Sequence, residues 1–358
     1  MDRSSSRANI ASNGEDRMSN TFSVIGLNHG HINGQVQGLL KTGDWRIKHV
    51  YAAEPDLLEA FTTKFTDATV AESEAQVLED DSGLIASASI NADRGPLAVR
   101  ALEAGKHFFV DKPCVTTLKD LEAIKAAVEA TGKKWFAFFG EMVLSAEVEW
   151  VREELRKGNL GEPVHFMGLG PHSLRIDSRP DWMFNGRQYG GILNDIASHQ
   201  MAQFCYWMDQ TPIPQFSRVG NLYHPERPEF QDFGDASFGG YKGATGYLRV
   251  DWFTPAGLPT WGDIKQQLIT TEAYIEHRKN LDIGDAPDYK AKLIVTRSDK
   301  ETEVVDLRGQ KAPFFERLTK DVEDGTETAI PFELGYTASK AIVEVQQQAI
   351  TLEGIKKP

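Results

Sequence analysis

Short apolar runs alternate with amphipathic stretches along the first 140 residues of the chain. A β-branched and aromatic run at 21–25 predicts a strand. The next apolar residues have the spacing of one helix face: Ile32, Val36, Leu39 and Leu40. Further strands are predicted at 46–53, 69–70, 83–90, 106–110 and 135–139, and further helices at 57–65, 72–78, 96–104 and 117–131. This alternation predicts an α/β fold with a doubly wound parallel sheet over residues 21–140.

The pattern changes after about residue 141, where longer strands succeed one another with few helices between them. A helix is predicted at 145–157, and strands at 164–169, 215–221, 236–238, 245–253, 267–271, 273–277 and 292–296. Residues 141–358 are therefore expected to form an α+β domain with a large, mostly antiparallel sheet. We expect a final helix at 337–352 to pack back near the first domain. Residues 1–20 are polar and are expected to form a disordered tail, with Met18 as a candidate natural start.

Candidate chemistry begins at the turn after the first strand, because strand, glycine turn and helix open a dinucleotide-binding (Rossmann) fold. Gly26 holds the first place of the usual G-x-G-x-x-G pattern, whereas Asn28 and His31 occupy the second and third glycine places. We expect Asn28 to make the tight turn, because asparagine tolerates left-handed backbone. We expect His31 to crowd the helix or to point at a pyrophosphate or substrate. The alternative is that His29 and His31 are plain loop histidines.

The second predicted strand leads to Glu54, which precedes Pro55. An acid in this place accepts hydrogen bonds from the adenosine ribose hydroxyls, and its charge repels the 2′-phosphate of NADP. The sequence therefore favours NAD over NADP. The alternative is that Glu54 is a solvated turn residue.

A cation comes directly after the strand at 106–110, within the run Asp111-Lys112-Pro113. Pro113 cannot donate to a sheet ladder and pushes Lys112 toward an extended backbone. Lys112 is therefore expected at the C-terminal end of a strand, where open parallel sheets bind ligands. The alternative is a surface lysine after an edge strand.

A second cluster lies on a helix predicted at 193–208, whose apolar stripe consists of Ala197, Met201, Phe204 and Met208. Asp195 and His199 are four residues apart and share a face nearly opposite that stripe. This face is expected to meet water or a cleft rather than the core. Histidine titrates near neutrality and suits general acid–base work, and the alternative is a solvated salt bridge.

Charge and composition argue against several classes of binding partner. The net charge of −13 disfavours nucleic acid and anionic membranes, and no apolar run is long enough to span a bilayer. The two cysteines, Cys114 and Cys205, provide neither a disulfide framework nor a zinc-binding spacing. We therefore expect a cytoplasmic protein without a metal site.

Two motifs carry a resemblance to a known family. Residues Ala104-Gly-Lys-His-Phe-Phe-Val-Asp-Lys-Pro113 are similar to A-G-K-H-V-x-x-E-K-P. Residues Gly190-Gly-Ile-Leu-Asn-Asp195-Ile-Ala-Ser-His199 are similar to G-G-G-x-x-x-D-x-x-x-H. With Gly26 in the first turn, the chain resembles the Gfo/Idh/MocA family of oxidoreductases over nearly everything after residue 21. It departs from the family at the glycine loop, at Asp111 in place of Glu, and at Arg94 where a His is common.

The resemblance implies a Rossmann domain and then a domain whose open-faced sheet often forms the oligomer interface, here of a homodimer or homotetramer. It implies an NAD(P)-dependent enzyme that transfers a hydride between nicotinamide and a sugar or polyol. The implied catalytic residues are Lys112, Asp195 and His199. The candidate cofactor-binding residues are Gly26, Asn28, His29, Gly30, His31, Ile32, Glu54, Ser89, Asn91, Asp111 and Lys112. The candidate substrate-binding residues are Lys112, His172, Arg175, Trp182, Asp195 and His199.

In the implied reaction His199 accepts the hydroxyl proton, Lys112 stabilises the alkoxide, and Asp195 binds the hydroxyl or orients His199. One alternative is an NAD-dependent glycosidase that oxidises the sugar transiently, eliminates the aglycone and reduces the product again. Another is a non-enzymatic protein that senses NAD or a sugar. The segment 171–182, with His172, Arg175 and Trp182, could also be a surface loop anchored by its tryptophan.

Overall fold

The computed structural model describes residues 20–285, 291–307 and 309–354. Nearly all of the expected N-terminal tail lies outside the described residues.

The first domain is built on a six-stranded, fully parallel sheet of order β3-β2-β1-β4-β5-β6. Its strands are β1 (Asn20–Ile25), β2 (Trp45–Tyr51), β3 (Thr69–Val70), β4 (Leu84–Ser87), β5 (His107–Asp111) and β6 (Trp135–Phe138). Its helices are α1 (Ile32–Thr42), α2 (Pro55–Lys64), α3 (Glu74–Glu79), α4 (Arg94–Glu103) and α5 (Leu118–Thr131). The doubly wound sheet is confirmed. The strand order reverses between β1 and β4, and this reversal opens a crevice at the C-terminal ends of the strands.

The second domain is built on a nine-stranded sheet of order β14-β13-β12-β11-β7-β10-β9-β8-β15. Its strands are β7 (Pro163–Pro171), β8 (Pro212–Gly220), β9 (Phe233–Gly240), β10 (Thr245–Asp251), β11 (Lys265–Thr270), β12 (Ala273–Arg278), β13 (Lys292–Arg297), β14 (Glu303–Val305) and β15 (Ile350–Leu352). Only the β7–β10 and β8–β15 pairs of this sheet are parallel in the described residues, so the mostly antiparallel sheet is confirmed. Its strands alternate between buried and more exposed positions, as in β12, because helices cover one face and leave the other open.

The remaining helices are α6 (Gly140–Val143), α7 (Ala146–Arg156), α8 (Gly186–Tyr189), α9 (Ile192–Asp195), α10 (Ser198–Met208), α11 (Phe314–Asp324) and α12 (Phe332–Gln347). Helix α12 packs on α10 and β8 and also reaches the first domain, where Tyr336 Oη donates to Glu122 Oε1 at 2.6 Å. The described part of the chain contains no helix long and apolar enough to cross a membrane.

Two helix predictions need correction. The helix predicted at 193–208 is two helices, because the backbone turns at 196–197 and Ser198 Oγ donates to the freed carbonyl of Asp195 at 3.0 Å. The helix predicted at 337–352 begins at Phe332, ends at Gln347 and is succeeded by β15. The β-branched pair Ile350 and Thr351 joins the edge of the second sheet instead of extending the helix.

Candidate active site

Lys112 lies at the C-terminal end of β5, where a buried arginine fixes the backbone. Arg94 is fully buried, and its guanidinium donates to the carbonyls of Ser89 (2.8 Å), Asp111 (3.2 Å), Lys112 and Pro113 (3.1 Å). A guanidinium presents its donors in a rigid fork, so one side chain can hold several converging carbonyls. The strand end that carries Lys112 is therefore set by Arg94 at the start of α4.

The Lys112 ammonium donates to Asp195 Oδ1 at 2.9 Å, and both side chains are buried. Burial alone would raise the pKa of Asp195, but the Lys112 charge and hydrogen bond hold that pKa below its usual value. Asp195 ends α9, which is fixed to the first domain through Asn194 Nδ2 and the carbonyl of Val115 at 2.8 Å. The Lys112–Asp195 pair therefore joins the two domains and also places the Lys112 ammonium in the site.

His199 lies in the first turn of α10 and is 4% exposed. Burial, with Lys112 adding to it, holds the pKa of His199 well below its usual value, so the ring is uncharged near neutral pH. Asp195 does not orient this ring, since within the described chain it pairs with Lys112 and the ion-pair contact of His199 is to Glu141 instead. Asp195 and His199 lie on two successive helices and share no helix face, and both side chains are buried yet line a cleft.

That cleft is a cavity of about 720 Å³ between the two domains. Its polar lining comes from His29, His31, Lys112, Glu141, Ser145, Glu147, His172, Ser173, Arg179, Asp195, His199, Lys279 and Asn280. Trp252 and Trp261 add aromatic surface. Apolar faces with a few convergent polar groups are typical of a small-molecule site.

A second cavity, of about 820 Å³, continues from the glycine loop toward Glu54 and is closed on one side by residues 177–180 and 182–183 of the second domain. A third, of about 230 Å³, lies between the ends of β1, β2 and β4 and is lined by Gly26, Glu54 and Ser89 among others. Together the three form a continuous series along the crevice of the parallel sheet, through shared lining residues such as Glu54, His29 and Arg179.

The glycine loop fits an extended dinucleotide. Gly26 has φ of +82°, and a Cβ on it would lie 2.4 Å from Ser89 Cβ, so only glycine is accommodated. Gly30 faces open space, as a loop that admits a phosphate requires. The left-handed turn is made by Gly26, so the prediction that Asn28 makes it is wrong. Asn28 instead donates its side-chain amide to Glu54 Oε1 at 2.7 Å and fixes that acid beside the third cavity.

His29 and His31 both approach the buried Asp111. Their Nδ1 atoms lie 3.4 Å and 3.0 Å from its two carboxylate oxygens, and the Arg94 guanidinium also lies 3.4 Å from that carboxylate. The two imidazoles and the carboxylate could together hold a cation. Arg94 already supplies the compensating positive charge, and His31 Nδ1 lies within hydrogen-bond distance of Asp111 Oδ1, whereas Asp111 Oδ2 has no hydrogen-bond partner among the described residues. The expectation that the chain has no metal site stays a prediction.

The cavities include most of the remaining predicted residues. Ile32 and Trp182 line the second cavity, and His172 lines the first. Asn91 is buried and donates its side-chain amide to the carbonyl of Tyr189 at 2.8 Å, so it joins the two domains, and its contact with the cofactor stays a prediction. Arg175 is exposed, and the arginine that reaches the first two cavities is Arg179.

The sequence prediction did not single out several lining residues: Glu141, Trp252, Trp261 and Lys279. One of them had a usable signal. Glu141 comes soon after the last strand of the parallel sheet, and the same strand-end argument that selected Lys112 applies to it.

Comparison with known proteins identifies the family. The model for the oxidoreductase family with an NAD-binding Rossmann fold matches residues 21–139, and the model for the GFO/IDH/MocA C-terminal domain matches residues 148–276. A crystal structure assigned to the oxidoreductases, from Erwinia carotovora atroseptica, is 37% identical, covers 94% of this chain and 100% of that one, and superposes with a TM-score of 0.89. The chain belongs to the Gfo/Idh/MocA family of oxidoreductases. Its first domain is an NAD-binding Rossmann domain.

Two curated relatives are more distant. The chain is 25% identical to scyllo-inositol 2-dehydrogenase (NAD(+)) of Bacillus subtilis over 210 residues, which are 56% of each protein. It is 26% identical to levoglucosan dehydrogenase of Pseudarthrobacter phenanthrenivorans over 206 residues, which are 56% of this chain and 51% of that protein. The matched part therefore spans only about half the length of these relatives.

Proposed function

We propose that this Gfo/Idh/MocA protein oxidises a hydroxyl-bearing carbon of a sugar or polyol with NAD, or reduces the corresponding ketone. The observation that supports this most is the buried Lys112–Asp195 pair beside His199, in a cavity continuous with the dinucleotide crevice. A proton acceptor and a fixed positive charge are what removal of a hydride from an alcohol carbon requires.

The protein residues divide the work around the substrate hydroxyl. Neutral His199 accepts the hydroxyl proton, because its burial keeps the ring uncharged. Lys112 stabilises the negative charge that develops on the oxygen, and Asp195 positions Lys112. Bound NAD supplies the hydride acceptor, the nicotinamide ring. Gly26, Gly30, Glu54 and Ser89 are the residues that would hold the adenosine and pyrophosphate, and the carboxylate of Glu54 favours NAD.

The substrate class rests on the lining and on the two curated relatives, whose names specify an inositol and levoglucosan. Hydrogen-bonding side chains and two tryptophans suit a neutral ring that carries several hydroxyls. Besides Lys112, the cavity is lined by the basic residues Arg179 and Lys279, and the Arg179 guanidinium is already engaged with the carbonyls of Leu174 and Ser173.

The test is to titrate purified protein with NAD and NADP and then to measure cofactor reduction across cyclitols, pyranoses and glycosides. We expect tighter binding of NAD and net NADH formation with one group of ring polyols. Product formation from a glycoside without net NADH would instead identify the oxidation–elimination reaction. Cofactor binding without turnover of any compound would favour a sensor, and failure to bind either cofactor would refute the proposal.

We also propose a homo-oligomer formed through the open face of the second sheet. Outward positions on this face include the exposed apolar residues Ile269 and Tyr274. Replacing both by aspartate should shift the mass measured by light scattering toward the monomer, and an unchanged mass would argue against this interface. A cytoplasmic location stays a proposal, which fits the buried free thiols of Cys114 and Cys205.

A further inference from the structure

Glu141 is a buried carboxyl group that the proposed reaction leaves unused. It lies just beyond β6 in the wall of the first cavity, where it is 6% exposed. Neither carboxyl oxygen has a hydrogen-bond partner among the described residues. Buried polar groups are nearly always hydrogen-bonded, so an unpaired one in a pocket wall indicates that a ligand supplies the partner.

The neighbouring His172 shows what kind of partner is needed. Its Nδ1 lies 3.0 Å from the carbonyl oxygen of Gly170, so this nitrogen carries the proton. Its Nε2 then presents a lone pair, and that atom lies 3.8 Å from Glu141 Oε1. A carboxylate and a bare imidazole nitrogen are both acceptors, whereas a hydroxyl carries one proton, so a hydroxyl that bridges the two requires a further proton on one of them.

Electrostatics place that proton on the carboxyl group. Burial raises the pKa of Glu141, although Lys279, Lys112 and His31 act against the shift. Burial lowers the pKa of His172 to about 3, so its ring stays neutral. The other charged or titratable groups that line this cavity are His29, His31, Lys112, Glu147, His172, Arg179, Asp195, His199 and Lys279.

We propose that Glu141 acts as a neutral acid that donates to the substrate hydroxyl next to the carbon that is oxidised, and that this hydroxyl in turn donates to His172 Nε2. A hydroxyl oxygen about 2.8 Å from each atom fits the 3.8 Å gap between them. Glu141 Oε1 is also 3.9 Å from His199 Nε2, a separation that fits two hydroxyls on neighbouring carbons. The pocket therefore selects vicinal diols.

This proposal rests on the proposed function, because His199 defines which carbon reacts. Its kinetic test compares Glu141→Gln, Glu141→Leu and the surface control Glu153→Gln, on the best substrate and on its analogue without the neighbouring hydroxyl. The glutamine side chain donates an N–H where the neutral carboxyl group donates an O–H. The kcat/KM of Glu141→Gln should therefore stay within about threefold of the wild-type value near neutral pH. In Glu141→Leu, kcat/KM should fall roughly tenfold or more for the diol and change little for the deoxy analogue.

The pH profile separates positioning from simple loss of structure. Wild-type kcat/KM should fall at high pH as Glu141 ionises, and Glu141→Gln should lack this fall. Three results would overturn the proposal: glutamine as damaging as leucine, equal losses for leucine on the diol and the deoxy analogue, or an unchanged alkaline limb in Glu141→Gln.

A second measurement does not depend on turnover. Infrared spectra of the whole protein at neutral pH should show the C=O band of a protonated buried carboxyl group, and Glu141→Gln should lose it. A protein that reduces no NAD but keeps this band would refute the proposed function alone. A wild-type spectrum without the band would refute the neutral acid, whatever the activity.

Discussion

Replacing Lys112 with methionine removes the ammonium group and keeps most of the aliphatic length of the side chain. If Lys112 stabilises the developing alkoxide, kcat/KM should fall by about 10² to 10³, the loss seen when one oxyanion donor is removed. The same change leaves Asp195 charged and unpaired at 7% side-chain exposure. Breaking a buried pair in this way costs about 3–5 kcal/mol in the free energy of unfolding.

Two further variants separate these effects. The double variant with Lys112→Met and Asp195→Asn no longer contains the unpaired negative charge. Its free energy of unfolding in urea should therefore regain most of the about 3–5 kcal/mol that Lys112→Met alone loses. Activity should not recover, because the cation is still missing. Lys157→Met removes a lysine that is 57% exposed and paired on the surface, and it should leave both quantities unchanged.

The absorbance of NADH gives kcat/KM, titration with NAD gives the affinity for the cofactor, and unfolding in urea gives the stability. NAD affinity should change little in Lys112→Met, which distinguishes lost chemistry from a collapsed crevice. A fall in kcat/KM smaller than about threefold, or recovery of activity in the double variant, would show that Lys112 serves stability rather than catalysis.

Four other outcomes are expected from the packing and charges of the protein. Gly26→Ala should cost about 2 kcal/mol or more in urea unfolding and weaken NAD binding, because its φ is +82° and Ser89 blocks a Cβ. Arg94→Lys should cost about 2–4 kcal/mol and lower kcat more than it weakens NAD binding, because lysine cannot hold the converging carbonyls. The acid limb of kcat/KM should lie below the ordinary histidine value of 6.5, because the folded pKa of His199 is lowered. Burial also lowers the folded pKa values of His107 and His277, to about 4 and 3. The free energy of unfolding measured in urea should therefore fall as pH drops below about 6.5, because these histidines bind protons in the unfolded chain and stay neutral in the folded one.

The sequence predicted the features that local patterns determine. Alternating strands and helices were enough for the parallel sheet, because each element there buries a face set by its own periodicity. Lys112 could be placed at a strand end because Pro113 cannot continue the hydrogen-bonded ladder beyond it. The apolar stripe at Ala197, Met201, Phe204 and Met208 is also buried as its spacing predicted.

Features that depend on contacts between residues far apart in the sequence could not be predicted from local patterns. The turn at 196–197 interrupts no apolar period, so the break between α9 and α10 left no local signal. The contact between Asp195 and Lys112 joins residues 83 positions apart, whereas the spacing on one helix face suggested His199 as the partner. Arg179 was less apparent than Arg175 because a loop without periodicity does not show which arginine turns inward.

Three of the departures from the family motifs, at His31, Asp111 and Arg94, form one physical unit in the folded chain. Asp111, in place of Glu, is contacted by His31 and Arg94, and the neighbouring His29 also approaches it. A buried carboxylate of this kind is tolerable only with a counter-charge and hydrogen-bond donors, and these residues supply both. Restoring one family residue alone would therefore remove a partner that the others need. Substitutions at Arg94 and His31 should for that reason be non-additive in the free energy of unfolding, since both act on the same carboxylate.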